Sequence, residues 1–322
     1  MPSYSGVWTL PAQYQAKGLN NWPAPPLYRG LFAGNQNSNR NVIQYIDITT
    51  TGNATSFGAL TANNDSMAGC GSSVRGVFGG GNADAGVVNT IQYVTFAATG
   101  NATSFGQLST TARLLAAGNN STRGVFGGGL DSGSSVLTAM NYITIGTTGN
   151  STSFGTLGSA AYQLAAVSSP TRIVFGGGYN NGFSPFGVMQ YITTATTGNT
   201  TSFGTLSPSR GALAGCSSST RGLFGGGTDG SITAYNTISY ITIATTGNTT
   251  SFGNMTTTAY YLAACSSELR GVFAGGKNDS NTELNIIGYV TIASTGNGTS
   301  FGSLTSADAR QAGCSSCGGG VQ

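Results

Sequence analysis

The tetrapeptide TSFG occurs six times in this chain, setting a phenylalanine at Phe57, Phe105, Phe154, Phe203, Phe252 and Phe301, first 48 and then 49 residues apart. Each copy follows TGN and one further residue. An enzyme needs its reactive groups once, so a feature written six times at even spacing belongs to architecture. Periods of this length mark folds in which neighbouring units bury one another's faces.

A second element keeps step with the first. RGLFAG begins at Arg29, RGVFGGG at Arg75 and Arg123, RIVFGGG at Arg172, RGLFGGG at Arg221 and RGVFAGG at Arg270. Around each copy the order is constant: a small-residue run such as LAAC, the Arg-Gly-Val-Phe run, a loop, an Ile-Tyr run such as ISYITI, then TTGN and TSFG. These runs are short, β-branched or aromatic, and lack the i, i+3, i+4, i+7 spacing of a helix, so they predict strands. Four strands in about 50 residues is the signature of a β-propeller blade. In the fifth unit LAGCSS, RGLFGG and TISYITIA make strands one to three and the next SFG run makes strand four. Gly247 and Asn248, between strands three and four, are expected at positive φ in a hairpin turn.

Inner strands crowd an axis, which suits small residues on strand one. Strands two and three are expected to be apolar on both faces, because blades pack face to face. The first unit begins at strand two, LYRGLFAG, while RQAGCSS follows the sixth SFGSL. Residues 309–316 are therefore expected to form the innermost strand of blade one. The expected fold is all-β: a six-bladed propeller of four-stranded blades over residues 27–317, closed by the C-terminal strand. An extended segment, 1–26, precedes it and a flexible Gly-rich tail, 318–322, follows.

The LAACSS run, the RGVFGGG run ending in glycines, the Tyr run and a final aromatic resemble the kelch repeat, here with Phe in place of the usual Trp. The chain departs from it before strand one, where NDSM, AAYQ and TAYY stand in three units instead of an arginine. The resemblance implies the fold and no activity.

Composition excludes several chemistries. With no histidine in 322 residues, histidine-dependent hydrolysis and the copper chemistry of kelch-fold oxidases are ruled out. The nine acidic residues are scattered, with Asp84, Asp131, Asp229 and Asp279 placed as turn residues, and no D-x-D-G calcium loop occurs. GGG is followed by neither a helix nor Lys-Ser/Thr, so it reads as a strand end rather than a phosphate cradle. No cofactor, metal or catalytic residue is expected. Twelve basic residues without a basic run argue against nucleic acid. The N-terminus lacks signal-peptide character and no stretch supplies about 18 consecutive apolar residues, so neither secretion nor membrane insertion is expected.

The six repeat arginines either ring an anionic ligand or donate to main-chain carbonyls between blades; the second is expected, because no repeated carboxylate accompanies them and a buried charge needs partners. Asn53, Asn101, Asn150, Asn199, Asn248 and Asn297 sit in Asn-x-Ser/Thr triplets and are read as turn residues. Cys70, Cys216, Cys265 and Cys314 share one position of strand one, where they act as small buried hydrophobes, and CSSC at Cys314 and Cys317 is a weak redox or metal signal.

Function is sought where the repeat fails. The loops between strands two and three vary, and the fourth carries Tyr179, Phe183 and Phe186; with Tyr235 of the fifth, these are the candidate ligand- or receptor-binding residues. Residues 1–26 hold both tryptophans and five prolines, and Trp8, Tyr14 and Trp22 are the candidate attachment residues. Few charges, abundant Gly, Ser, Thr and Asn, and SGVWTLPAQYQAKG resemble tailed-bacteriophage virion proteins, tail fibres or tail-tip adhesins above all. That resemblance implies a non-enzymatic structural protein of the virion, assembled in the host cytoplasm. Residues 1–26 would contact other virion proteins and the propeller loops a host-surface glycan or receptor. A free carbohydrate-binding or scaffold propeller, or a head or neck decoration protein, is the alternative.

Overall fold

The computed structural model describes residues 27–36, 40–231 and 233–318. Trp8, Tyr14 and Trp22, and the tail beyond Gly318, lie outside the described residues. Among those described the chain forms 27 strands and no helix, a β-propeller-like all-β architecture. Six sheets have four antiparallel strands each, and a small three-stranded sheet joins Asn64–Asp65, Asn82–Ala83 and Gly86–Val87.

The fifth sheet runs Ala214–Ser217, Arg221–Gly225, Thr237–Thr242, Thr250–Asn254 in chain order. The second, third, fourth and sixth repeat it, with first strands at Ala68–Gly71, Ala116–Asn119, Ala165–Ser168 and Ala263–Ser266. In the first sheet, Ala312–Ser315 pairs with Arg29–Ala33 through Gly30↔Ser315 to Ala33↔Ala312, and Val42–Asp47 and Thr55–Ala59 complete it.

The TSF phenylalanine marks a bulge. Asn141 pairs with Ser153 and Met140 with Gly155, so Phe154 has no partner opposite it, and the same slip recurs at all six copies. A bulged residue is free to turn out of the ladder. Here it turns inward: Phe154 is 2% exposed and meets Tyr142 edge-on, ring centroids 6.0 Å apart.

Apolar side chains of adjacent sheets share cores. Val125, Met140 and Phe154 of the third sheet pack with Ile173, Phe175 and Ile192 of the fourth; Phe32, Ile46 and Ile48 of the first pack with Val272, Ile287 and Phe301 of the sixth. Strand three is not apolar on both faces. Gln44, Gln92, Asn141, Gln190 and Ser239 occupy one buried position in five sheets. The reason is an unpaired backbone in the preceding sheet's last loop, whose groups bond these side chains: Thr61 N–H to Gln92 Oε1 at 2.8 Å, Gly158 N–H to Gln190 Oε1 at 2.8 Å, Thr305 N–H to Gln44 Oε1 at 2.9 Å.

Two repeated links tie each sheet to the next at the outer edge. Asn101 Oδ1 accepts from Ala59 N–H, Asn150 from Gln107, Asn199 from Thr156, Asn248 from Thr205, Asn297 from Asn254 and Asn53 from Ser303, each at 3.0 Å. The TGN glycine carbonyl lies on the TSFG glycine of the preceding sheet, so a Cβ on Gly106 would collide with Gly149 O. Gly247 and Asn248 are not at positive φ. The restricted glycine is the one beneath the turn, because the turn is used to dock rather than to reverse tightly.

Positive φ appears instead just before strand one, at Ser66, Leu114, Gln163, Ala212, Tyr261 and Arg310, with φ between 54° and 62°. Non-glycine residues hold this conformation only where the surroundings fix it. Hydrogen bonds do so: Leu114 N–H donates to Ser66 O, Gln163 to Leu114 O, Ala212 to Gln163 O, Tyr261 to Ala212 O, Arg310 to Tyr261 O and Ser66 to Arg310 O, all 2.8–3.0 Å.

Candidate functional site

The six repeat arginines face neighbouring sheets. Arg75 Nη1 donates to Ile145 O at 3.1 Å, Arg123 to Thr194 O at 2.9 Å, Arg172 to Ile243 O at 3.0 Å, Arg221 to Ile292 O at 2.9 Å, Arg270 to Ile48 O at 3.1 Å and Arg29 to Phe96 O at 2.5 Å. Each guanidinium also lies over the strand-three tyrosine of its own sheet, 4.3–4.9 Å from the ring centroid. Their charge is occupied by carbonyl dipoles and ring faces.

The four cysteines of strand one are free and buried, and burial pushes the Cys70 thiol up to about 12, far from the reactive thiolate. Cys317 is free and half-buried. Among the described residues no group of three His, Cys, Asp or Glu is placed to hold a metal.

A cavity of about 480 Å³ opens where the loops after strand two meet the residues leading into strand one. Antiparallel pairing brings these two chain regions to one end of each sheet. Tyr162, Tyr179, Tyr260, Tyr261 and Phe183 supply aromatic walls, Arg113, Lys277 and Arg310 supply charge, and Gln163 and Asn281 supply amides. No carboxylate lines it.

Hydrogen bonds fix the walls. Tyr179 O–H donates to Thr228 O at 3.2 Å, Tyr260 O–H to Asn281 Oδ1 at 3.0 Å, and Gln163 Nε2 donates to Tyr261 Oη at 3.1 Å. Tyr260 and Tyr261 have centroids 5.0 Å apart, and Arg310 stacks 4.3 Å from the Tyr261 centroid. Burial raises the Tyr162, Tyr179 and Tyr260 hydroxyls above their ordinary value, so these tyrosines remain neutral at physiological pH. Lys277 lies 3.9 Å from Glu283, the single acid that answers a cation of this cavity among the described residues. Arg113 meets Ser134 Oγ at 3.3 Å.

Of the four loop aromatics expected from sequence, the structure brings two to this cavity. Tyr179 forms part of its floor at 6% exposure, whereas Phe183 stands 76% exposed at its rim. Phe186 packs against the core shared by the third and fourth sheets, and Tyr235 lies half-buried outside the lining, its N–H bonded to Gly227 O. Sequence reasoning missed Arg113, Tyr162, Gln163, Tyr260, Tyr261, Lys277 and Arg310. A signal existed: AAYQ and TAYY, where the repeat departs before strand one, contain four of the seven.

No family model matches the chain, and no curated protein matches it.

Proposed function

We propose that this chain is a non-enzymatic binding protein built as a closed, six-bladed, kelch-like propeller, carried on a tailed-phage particle as a tail-fibre or tail-tip adhesin. The observation that carries the binding role is the aromatic and cationic cavity, with polar groups converging on preformed walls. The closed ring is supported by the hydrogen bonds that pass from Ser66 through five further residues to Arg310 and return to Ser66. It is also supported by the pairing of Ala312–Ser315 with Arg29–Ala33. Residues 1–26 attach the propeller to other virion proteins, and the cavity end meets the host surface.

Two measurements test this. Mass spectrometry of purified particles is expected to find the protein, and deletion of residues 1–26 to remove it from them; a chain that occurs only outside particles would point to a free lectin or scaffold instead. Removing residues 305–322 is expected to lower the melting temperature sharply, and an undiminished value would refute ring closure.

A further inference from the structure

Resting on the binding role proposed above, we infer that the cavity takes an acidic saccharide, one bearing a carboxylate or phosphate, with Arg113 and Arg310 meeting the anion and Phe183 and Tyr261 meeting the sugar. Charge points to the anion. Among the described residues, ion pairs join Arg40 to Asp65 and Asp84, and Lys277 to Glu283; of the other cations outside the repeat, Arg210 is fully buried and donates to Phe224 O, while Arg113 and Arg310 line the cavity without a carboxylate in salt-bridge range. The repeat arginines are committed to carbonyls, and Asp229 and Asp279 beside the cavity are bonded to Ser231 and Thr258, so these two guanidiniums are left to meet an arriving anion directly. Arg310 is held by its stacking on Tyr261 and Arg113 by Ser134 Oγ, and each keeps a buried Nε with no hydrogen-bond partner.

The walls point to the saccharide. Tyr162, Tyr179 and Tyr260 are buried and form a packed floor, over which Phe183 stands exposed with its ring edge-on to Tyr162, and half-buried Tyr261 is held by Tyr260 and Gln163. Rigid amphipathic faces cost little ordering on binding and suit the C–H side of a pyranose, while the amides nearby suit its hydroxyls. At about 480 Å³ the cavity falls in the range that encloses a small ligand, roughly 300–1,000 Å³.

The test uses the full chain and a glycan array of uronic-acid and phosphosugar oligosaccharides beside their carboxyl-reduced and dephosphorylated counterparts, with inorganic phosphate and ATP as further ligands. The acidic glycans are expected to bind at least about tenfold tighter than the neutral ones, with affinity falling as salt rises. Arg310→Gln and Arg113→Gln are expected to abolish that preference at unchanged melting temperature, with Arg310→Lys keeping part of it. Equal binding of acidic and neutral glycans would overturn the inference and leave the binding role standing. No binding to any saccharide would likewise overturn the inference and leave a non-saccharide receptor for the binding role, and ATP or free phosphate binding as tightly as the acidic glycans would replace the saccharide by an anion alone.

Discussion

Gly118 and Ile173 form a size exchange that can be tested by swapping it back. In five interfaces a side chain on strand one packs onto the glycine that follows the repeat arginine of a neighbouring sheet: Cys70 on Gly124, Val167 on Gly222, Cys216 on Gly271, Cys265 on Gly30 and Cys314 on Gly76. In the sixth the sizes are reversed, with Gly118 on strand one and Ile173 after Arg172. A Cβ on Gly118 would sit 2.5 Å from Ile173 Cγ2 and 2.7 Å from Ser168 Oγ, both beyond what packing allows. Gly118→Cys is therefore expected to cost about 1–3 kcal/mol by overpacking. Ile173 is fully buried, and Ile173→Gly is expected to cost about 3–5 kcal/mol as its side chain vacates the interface. The double variant recreates the Cys70–Gly124 arrangement. Cysteine restores two of the four heavy atoms lost, so the remaining deficit is about 1.6 kcal/mol at roughly 0.8 kcal/mol per buried methylene. Urea unfolding of the four proteins closes the cycle, read from midpoints at constant slope. A double variant at least about 1 kcal/mol more stable than the summed single losses is expected, and additivity within about 0.5 kcal/mol would refute the exchange.

Gly106→Ala drives a Cβ into Gly149 O and is expected to destabilise by about 1–3 kcal/mol, whereas Gly149→Ala meets nothing within 4 Å and should change the melting temperature little; equal effects would show that the turn does not dock there. Arg172→Met removes donations to Ile243 O and Ala244 O at 3.0 and 2.8 Å and the stacking on Tyr191, an expected loss of about 2 kcal/mol by chemical denaturation. Asp308 is buried among Gln44, Gln311 and Ser306, and burial lifts its carboxyl above the ordinary value. The folded state therefore holds this proton more tightly than the unfolded one, so its contribution to stability is complete below the ordinary carboxylate pKa and is lost as pH rises through the raised one. Asp308→Asn should flatten that slope and melt higher than the parent at pH 7; an unchanged pH–stability profile would contradict it. A thiol reagent should leave Cys70, Cys216, Cys265 and Cys314 unmodified until the protein unfolds, and prompt native-state labelling at any of them would show that the interfaces open.

The period in the sequence determined the strands and their grouping in fours, because β-branched and aromatic runs this short, without helical spacing, satisfy their backbones by pairing with neighbouring runs. It also made the repeat arginines legible as donors to carbonyls, since no repeated carboxylate was there to pair with them. Tertiary structure decided what touches what. The glycine of TSFG is required by a carbonyl from another sheet, the phenylalanine beside it sits at a bulge, and Ile173 departs from its repeat because Gly118, 55 positions earlier, left room. The cavity lay beyond sequence reasoning for the same reason. Arg113, Tyr162, Tyr260 and Arg310 lie far apart along the chain and occupy related places in four different units, and only the packing of those units at one end brings an aromatic floor and two guanidiniums without a carboxylate contact to a single opening.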